Sequence, residues 1–229
     1  MVLEVATDRL EASETAARHL HAAVVNDIAE NHRASLVLSG GSTPLECYRH
    51  LGNLEVPWRN VAITLSDERW VPPSDSQSNA GMLAQSLFVN DAANATFVPL
   101  WTDKPMPEDA LTEIATAIDE QLPRPFSAVL LGMGSDGHFA SLFPDAENLA
   151  NGLDLNTPAI CLAARTAASP VPRISLTLAT LINCRELVLL IFGTEKRAVL
   201  EAAAAGESEL PIAALLTQDS KPVRVIWAP

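Results

Sequence analysis

Short apolar runs alternate with longer amphipathic stretches along the whole chain. Val2–Ala6, Ser35–Ser39, Val61–Ser66, Ala128–Gly132, Ala159–Ala163, Leu187–Phe192 and Val223–Trp227 have the largely unbroken apolar character of strands buried on both faces. Within Arg9–His32, Leu20, Val24 and Ile28 recur every fourth residue while Glu11, Glu14, Asp27 and Glu30 fall mostly elsewhere, as on a helix with one buried stripe. Further helical patterns cover Pro44–Leu51, Asn79–Phe88, Glu108–Leu122, Leu176–Asn183 and Thr194–Ala205, with Pro107 opening the third and Gly206 closing the last. Strands that alternate with helices require crossover connections. The expected architecture is therefore an α/β fold, a doubly wound, mostly parallel sheet with helices on both faces. Such sheets bind ligands outside the carboxyl ends of their strands, so function is sought where strands hand over to loops. Pro72–Ser78 and Leu100–Pro107 read as loops between elements, no repeat is evident, and residues 1–229 are expected to form one domain.

The balance of 15 Lys and Arg against 28 Asp and Glu gives a formal charge of −13. That disfavours nucleic acid or an anionic membrane as partner, and it makes any basic residue beside a glycine-rich turn informative. Cys47, Cys161 and Cys184 are scattered and form no CxxC, which argues against a disulfide framework or a zinc ribbon. With no signal-like start and no apolar stretch approaching a bilayer span, a cytoplasmic chain without a membrane anchor is expected. HExxH is absent and His19 and His21 face different sides of a helix, so no metal is expected; GxSxG is absent too, which takes the usual support from a serine nucleophile, and no cofactor is expected.

Three segments after strands carry candidate chemistry. Ser39-Gly40-Gly41-Ser42-Thr43-Pro44 stands between a strand and a helix, where glycines admit a close ligand and the helix start offers free N–H groups. It reads equally as a phosphate cradle or as a tight turn in which Ser42 or Thr43 caps the helix. Ser66-Asp67-Glu68-Arg69-Trp70 places three charges at a strand end. Arg69 suits a phosphate oxygen, and Asp67 and Glu68 either hold it or meet sugar hydroxyls; a solvated turn is the alternative. The third segment, Gly132 to Pro144, satisfies GxGxxG through Gly132, Gly134 and Gly137, but no second strand ends in an acidic residue about 20 positions on, so a dinucleotide site is rejected. Its distinguishing residue is His138, of the side-chain type most used for proton transfer, with Asp136 placed to orient it as a general base. Arg173 ahead of a helix and Lys196 in a first helical turn complete the set. A lysine there opposes the helix dipole unless an anion binds at the same place.

These stretches resemble the 6-phosphogluconolactonases. SGGSTP at 39–44, SDERWVP at 66–72 with Ser78-Asn79, GMGSDGHFASLFP at 132–144, PRISLT at 172–177 and GTEK at 193–196 match in order across nearly the whole chain. The resemblance implies a fold like that of glucosamine-6-phosphate deaminases and ribose-5-phosphate isomerases. It also implies metal-independent hydrolysis of 6-phospho-D-glucono-1,5-lactone in the oxidative pentose phosphate pathway, by a monomer or weak homo-oligomer. The deaminases are the rival, followed by a non-catalytic sugar-phosphate-binding module. Arg69-Trp70 and Ala140-Ser141-Leu142-Phe143-Pro144 differ from the deaminase pattern and favour the lactonase. Two departures from the lactonases stand out: Phe139 replaces a common threonine, and Ser169-Pro170-Val171 replaces a lysine followed by prolines. On this reading His138 activates water, and Gly40, Gly41, Ser42 and Thr43 hold the phosphate with Arg69 and Lys196. Asp67, Glu68 or Asn79 meets the hydroxyls, and Arg173 or the turn around Gly134 faces the oxyanion.

Overall fold

A computed structural model describes residues 1–229. In chain order its elements are β1 (Val2–Val5), α1 (Arg9–Asn31), β2 (Ala34–Leu38), α2 (Leu45–Gly52), β3 (Val61–Leu65), β4 (Asp67–Arg69), α3 (Asn79–Ser86), β5 (Thr96–Phe97) and α4 (Leu111–Gln121). They continue with β6 (Phe126–Leu131), α5 (Leu149–Leu153), β7 (Cys161–Thr166), β8 (Ser169–Leu176), α6 (Leu178–Ile182), β9 (Cys184–Phe192), α7 (Thr194–Ala204), α8 (Pro211–Thr217) and β10 (Val223–Ala228). Seven strands form one parallel sheet in the order β1-β10-β9-β6-β2-β3-β5. Central strands β2, β3 and β6 are buried at every position, as the apolar runs require of a sheet covered on both faces. The long helix α1 starts where Asp8 accepts from the Glu11 amide and ends at His32 in the left-handed region, within a residue of the expected bounds.

The strand order sets the place of the site. From β2 the chain builds outward through β3 and β5, then returns to β6 on the other flank of β2 and builds through β9 and β10. The order therefore reverses between β2 and β6, and the loops leaving their carboxyl ends diverge to leave a crevice. The loop after β2 holds Gly40 to Thr43, and the loop after β6 holds His138.

A second sheet was not expected. β4, β8 and β7 pair antiparallel in the order β4-β8-β7, so the run at Ala159–Ala163 belongs to this layer and not to the parallel sheet. Pro170 and Pro172 lie inside β8. They are tolerated because β8 continues on either side of them, with Trp70 N–H donating to the Pro172 carbonyl at 2.8 Å. The helix read as starting at Leu176 begins at Leu178 instead, since β8 runs to Leu176 and the Thr177 hydroxyl accepts from the Thr180 amide. Ser66 joins the two sheets: its amide donates to Leu38 O at 2.8 Å and its carbonyl accepts from Leu176 N at 2.9 Å.

Candidate active site

The crevice holds a cleft of about 260 Å³ into which six segments project. From β2 come Ser39 to Thr43. Gly41 has φ +88°, and a methyl on Gly40 would fall on the Asn79 carboxamide, so both positions need glycine. Neither Ser42 nor Thr43 caps α2, whose N-terminal residue Pro44 has no side-chain cap, and the amides of Gly40 to Thr43 donate to no protein acceptor. Of the two readings open at this loop, the capped turn is excluded and a set of free donors remains. Tyr48 Oη pins the loop by donating to the Ser39 carbonyl at 2.6 Å. The Ser39 hydroxyl is buried, lines the cleft and has no partner. Sequence reasoning passed over it although it opens the motif.

From β4 come Asp67 and Arg69 but not Glu68, because successive residues of a strand face opposite ways. Glu68 is a correction to the expected set. Its carboxylate is fully buried and accepts from the Asn79 amide at 2.7 Å, the Ala80 amide at 2.7 Å, the Arg69 amide at 2.8 Å and the Ser78 hydroxyl at 3.1 Å. It holds the start of α3 against β4. Burial raises its carboxyl above the usual glutamate range and the amide donors pull it partly back. Asn79, positioned by this anchor, lines the cleft and donates from Nδ2 to the Asp67 carbonyl at 2.9 Å.

Arg69 and Arg173 sit directly opposite each other in the β4–β8 register and both line the cleft. Two like charges in that position repel, unless an anion lies between or beside them. Both guanidinium groups keep a buried Nε without an acceptor. Arg69 spends one Nη on the Gln77 carbonyl at 2.6 Å, and Arg173 lies 5.1 Å from the Phe143 ring centre. Burial first, and then the neighbouring Arg69 charge, hold Arg173 below the usual arginine range.

The loop after β6 carries the imidazole. Gly134 N–H donates to the His138 carbonyl at 2.9 Å and Gly137 N–H to the Gly134 carbonyl at 3.1 Å, forming a tight turn with Gly137 at φ +73°. The start of α8 clamps it through Ile212 N–H on Gly137 O at 2.9 Å. His138 Nδ1 lies 2.6 Å from Asp136 Oδ1. A carboxylate at Nδ1 favours the proton there, which leaves the Nε2 lone pair free to accept a proton. The ring is tilted on Phe143 with centroids 4.3 Å apart. Ser141, which the sequence did not single out, donates from its hydroxyl to Asp67 Oδ2 at 2.6 Å and so ties this loop to β4.

The last segment is the first turn of α7. Lys196 reaches the cleft from there, held below the usual lysine range by burial and partly restored by Asp136. All the expected residues except Glu68 thus meet at one place, with Asp136 standing behind His138. His19, His21, His32 and His50 do not line the cleft. The three cysteines are buried, with the Cys161 and Cys184 thiols pushed up to about 12, so none offers a thiolate. No three His, Cys, Asp or Glu side chains gather as a metal-holding group.

Gly134 has no room for a side chain. A β-carbon there would overlap the His138 ring and Asp136 Oδ1. Gly134→Ala is therefore expected to displace the imidazole and lower kcat by about 10²-fold, with little change in the unfolding midpoint. Full turnover in that variant would show that ring position does not limit the reaction.

Residues 7–227 match the family model described as glucosamine-6-phosphate isomerases/6-phosphogluconolactonase. The chain is 39% identical over 228 residues to a 6-phosphogluconolactonase of Caulobacter vibrioides, covering 99% of this chain and 97% of that one. It is 43% identical over 202 residues to a 6-phosphogluconolactonase of Mesorhizobium japonicum, covering 88% and 84%. The crystal structure of a 6-phosphogluconolactonase from Shewanella baltica superposes with a TM-score of 0.94 at 33% identity, over 100% of this chain and 98% of that one.

Proposed function

The chain belongs to the glucosamine-6-phosphate isomerase/6-phosphogluconolactonase family, and from that premise we infer that it hydrolyses 6-phospho-D-glucono-1,5-lactone to 6-phospho-D-gluconate. The observation that carries the mechanism is the His138–Asp136 pair opening onto the same cleft as four unpartnered amides and three cations. His138 Nε2 takes a proton from water as the water oxygen bonds to C1. The carbonyl becomes an oxyanion, the C1 to ring-oxygen bond then breaks, and the imidazolium returns its proton to the departing oxygen. Donors from the Gly132–Gly137 turn and Arg173, which shares the Phe143 ring with His138, face the oxyanion. The phosphate lies against Gly40, Gly41, Ser42 and Thr43 with Lys196 and Arg69 as countercharge, and the hydroxyls meet Asp67 and Asn79. A lactone hydrolyses slowly in water on its own, so positioned proton transfer and fixed donors suffice and no covalent nucleophile is needed.

The proposal takes residues 1–229 as one lactonase-like domain, monomeric or weakly self-associating and cytoplasmic. Supporting it are an apolar core shared by nearly all elements, a charge of −13 and no helix long and apolar enough to cross a membrane. The deciding experiment follows proton release from freshly made phosphogluconolactone beside ammonia release from glucosamine 6-phosphate. Acid release above the spontaneous rate without ammonia supports the lactonase. Ammonia would identify a deaminase, and silence in both a binding module.

Lys196 supplies a pH test. Since burial lowers its affinity for the proton, its charge is lost at lower pH than that of a free lysine. Inhibition by the product 6-phosphogluconate is expected to weaken as pH climbs through that lowered value. Lys196→Arg should hold the inhibition to higher pH, and Lys196→Gln should raise KM with kcat little changed. An inhibition constant indifferent to alkaline pH in the wild type would remove Lys196 from the phosphate site.

A further inference from the structure

Ser42, Thr43 and Lys196 face two spaces at once. On one side is the cleft; on the other is a groove of about 520 Å³. Arg9 and Ser13 of α1, Glu46 and Arg49 of α2, and Phe192 at the end of β9 wall that groove. The Arg9 guanidinium lies 5.4 Å from the Phe192 ring centre and forms no ion pair, while Arg49 Nη1 reaches Glu46 Oε2 at 2.9 Å within the same helix. Arg9, Arg49 and Lys196 thus stand against one carboxylate, a local positive excess in a chain of net charge −13. The Arg9–Phe192 contact and the Arg49–Glu46 pair hold the two guanidinium groups in place but leave the groove with a net positive charge. The rest of the surface could carry those cations beside its many unpaired acids, where they would relieve repulsion.

The excess becomes useful only in the light of what lies next door. A phosphoryl group held by the Gly40–Thr43 amides and Lys196 would lie beside Ser42, Thr43 and Lys196, the residues that these two spaces share. A further phosphoryl attached to it would enter the groove and meet Arg9 and Arg49. We propose that the groove is a second anion subsite, which admits the additional phosphoryl groups of a polyphosphate or bisphosphorylated ligand whose first phosphoryl occupies the cleft. Compounds of that class are then competitive ligands of the enzyme, bound across both spaces. The proposal rests on the cleft being the phosphate site.

The test measures competition against lactone hydrolysis by inorganic orthophosphate, pyrophosphate and tripolyphosphate, in metal-free buffer at constant ionic strength. The inhibition constant is expected to fall along this series, by about ten-fold or more from the first to the last. In the doubly substituted Arg9→Gln, Arg49→Gln protein that gain should shrink to under about three-fold, with kcat and KM for the lactone unchanged, since neither residue belongs to the catalytic cleft. Equal inhibition by all three phosphates, or a gain that survives both substitutions, overturns the groove and leaves the cleft assignment standing. If orthophosphate does not compete at all, or competes equally well in Lys196→Gln, the cleft assignment fails and takes the groove with it.

Discussion

His138→Ala is expected to lower kcat by about 10²–10⁴-fold, the usual worth of a positioned general base, while KM stays within a small factor. The loop does not depend on the side chain. Its turn is closed by backbone bonds from Gly134 to the His138 carbonyl and from Ile212 to Gly137, and the imidazole contributes only its contacts with Asp136 and Phe143. The loss should therefore appear in turnover and not in the unfolding midpoint. Residual activity is expected, because the amides of Gly40 to Thr43 and the guanidinium groups of Arg69 and Arg173 remain in place to bind the phosphate and the developing negative charge. The measurement is steady-state hydrolysis of fresh lactone by acid release, corrected for the spontaneous rate. Near-normal turnover would mean that water is activated by some other group of the cleft.

Glu68→Ala is expected to act on stability first. Removal of the carboxylate leaves three amides and the Ser78 hydroxyl facing a fully buried hole. Each orphaned buried donor costs about 1–3 kcal/mol, and with partial relaxation of the site the loss of their shared acceptor is expected to cost about 3–5 kcal/mol in all. For a chain of this size that corresponds to an unfolding midpoint lower by roughly 10 °C. Glu68→Gln keeps one acceptor oxygen but turns an NH2 group toward the same donors, so it should fall between the two. KM follows only to the extent that Asn79 shifts with the start of α3. A variant that melts like the wild type but binds substrate poorly would return Glu68 to the list of substrate contacts.

Glu68 also illustrates which parts of this protein are legible in one dimension. Three successive charges after a strand marked Asp67–Arg69 as unusual, but their division into cleft-facing and core-facing residues depends on β4 being a strand. The partner that makes it one, β8, lies about a hundred residues on and contains Pro170 and Pro172, which weaken any strand signal. Local propensity gives such a segment no strand signal, since what stabilises it is cross-strand pairing. The opposed Arg69 and Arg173 follow from the same register and were invisible for the same reason. Ser141 was passed over because a hydroxyl in a loop has no distinguishing mark until Asp67, 74 positions away, is brought to 2.6 Å.

Much else was written locally. Unbroken apolar runs set the buried strands of the parallel sheet, since a strand covered on both faces has no polar positions to spare. Glycines at 40, 41, 134 and 137 sit where side chains collide or φ is positive, a restriction that acts within a few residues or on one close neighbour. Asp136 and His138, two residues apart, could find each other within a single turn. Periodicity and short spacing therefore determined that this is an α/β chain with candidate groups after several of its strands. That those loops open into one crevice was decided by the strand order, in which β2 and β6 lie side by side with β3 and β9 beyond them. That order comes from long-range pairing energies, to which neighbouring residues in the chain contribute no local signal.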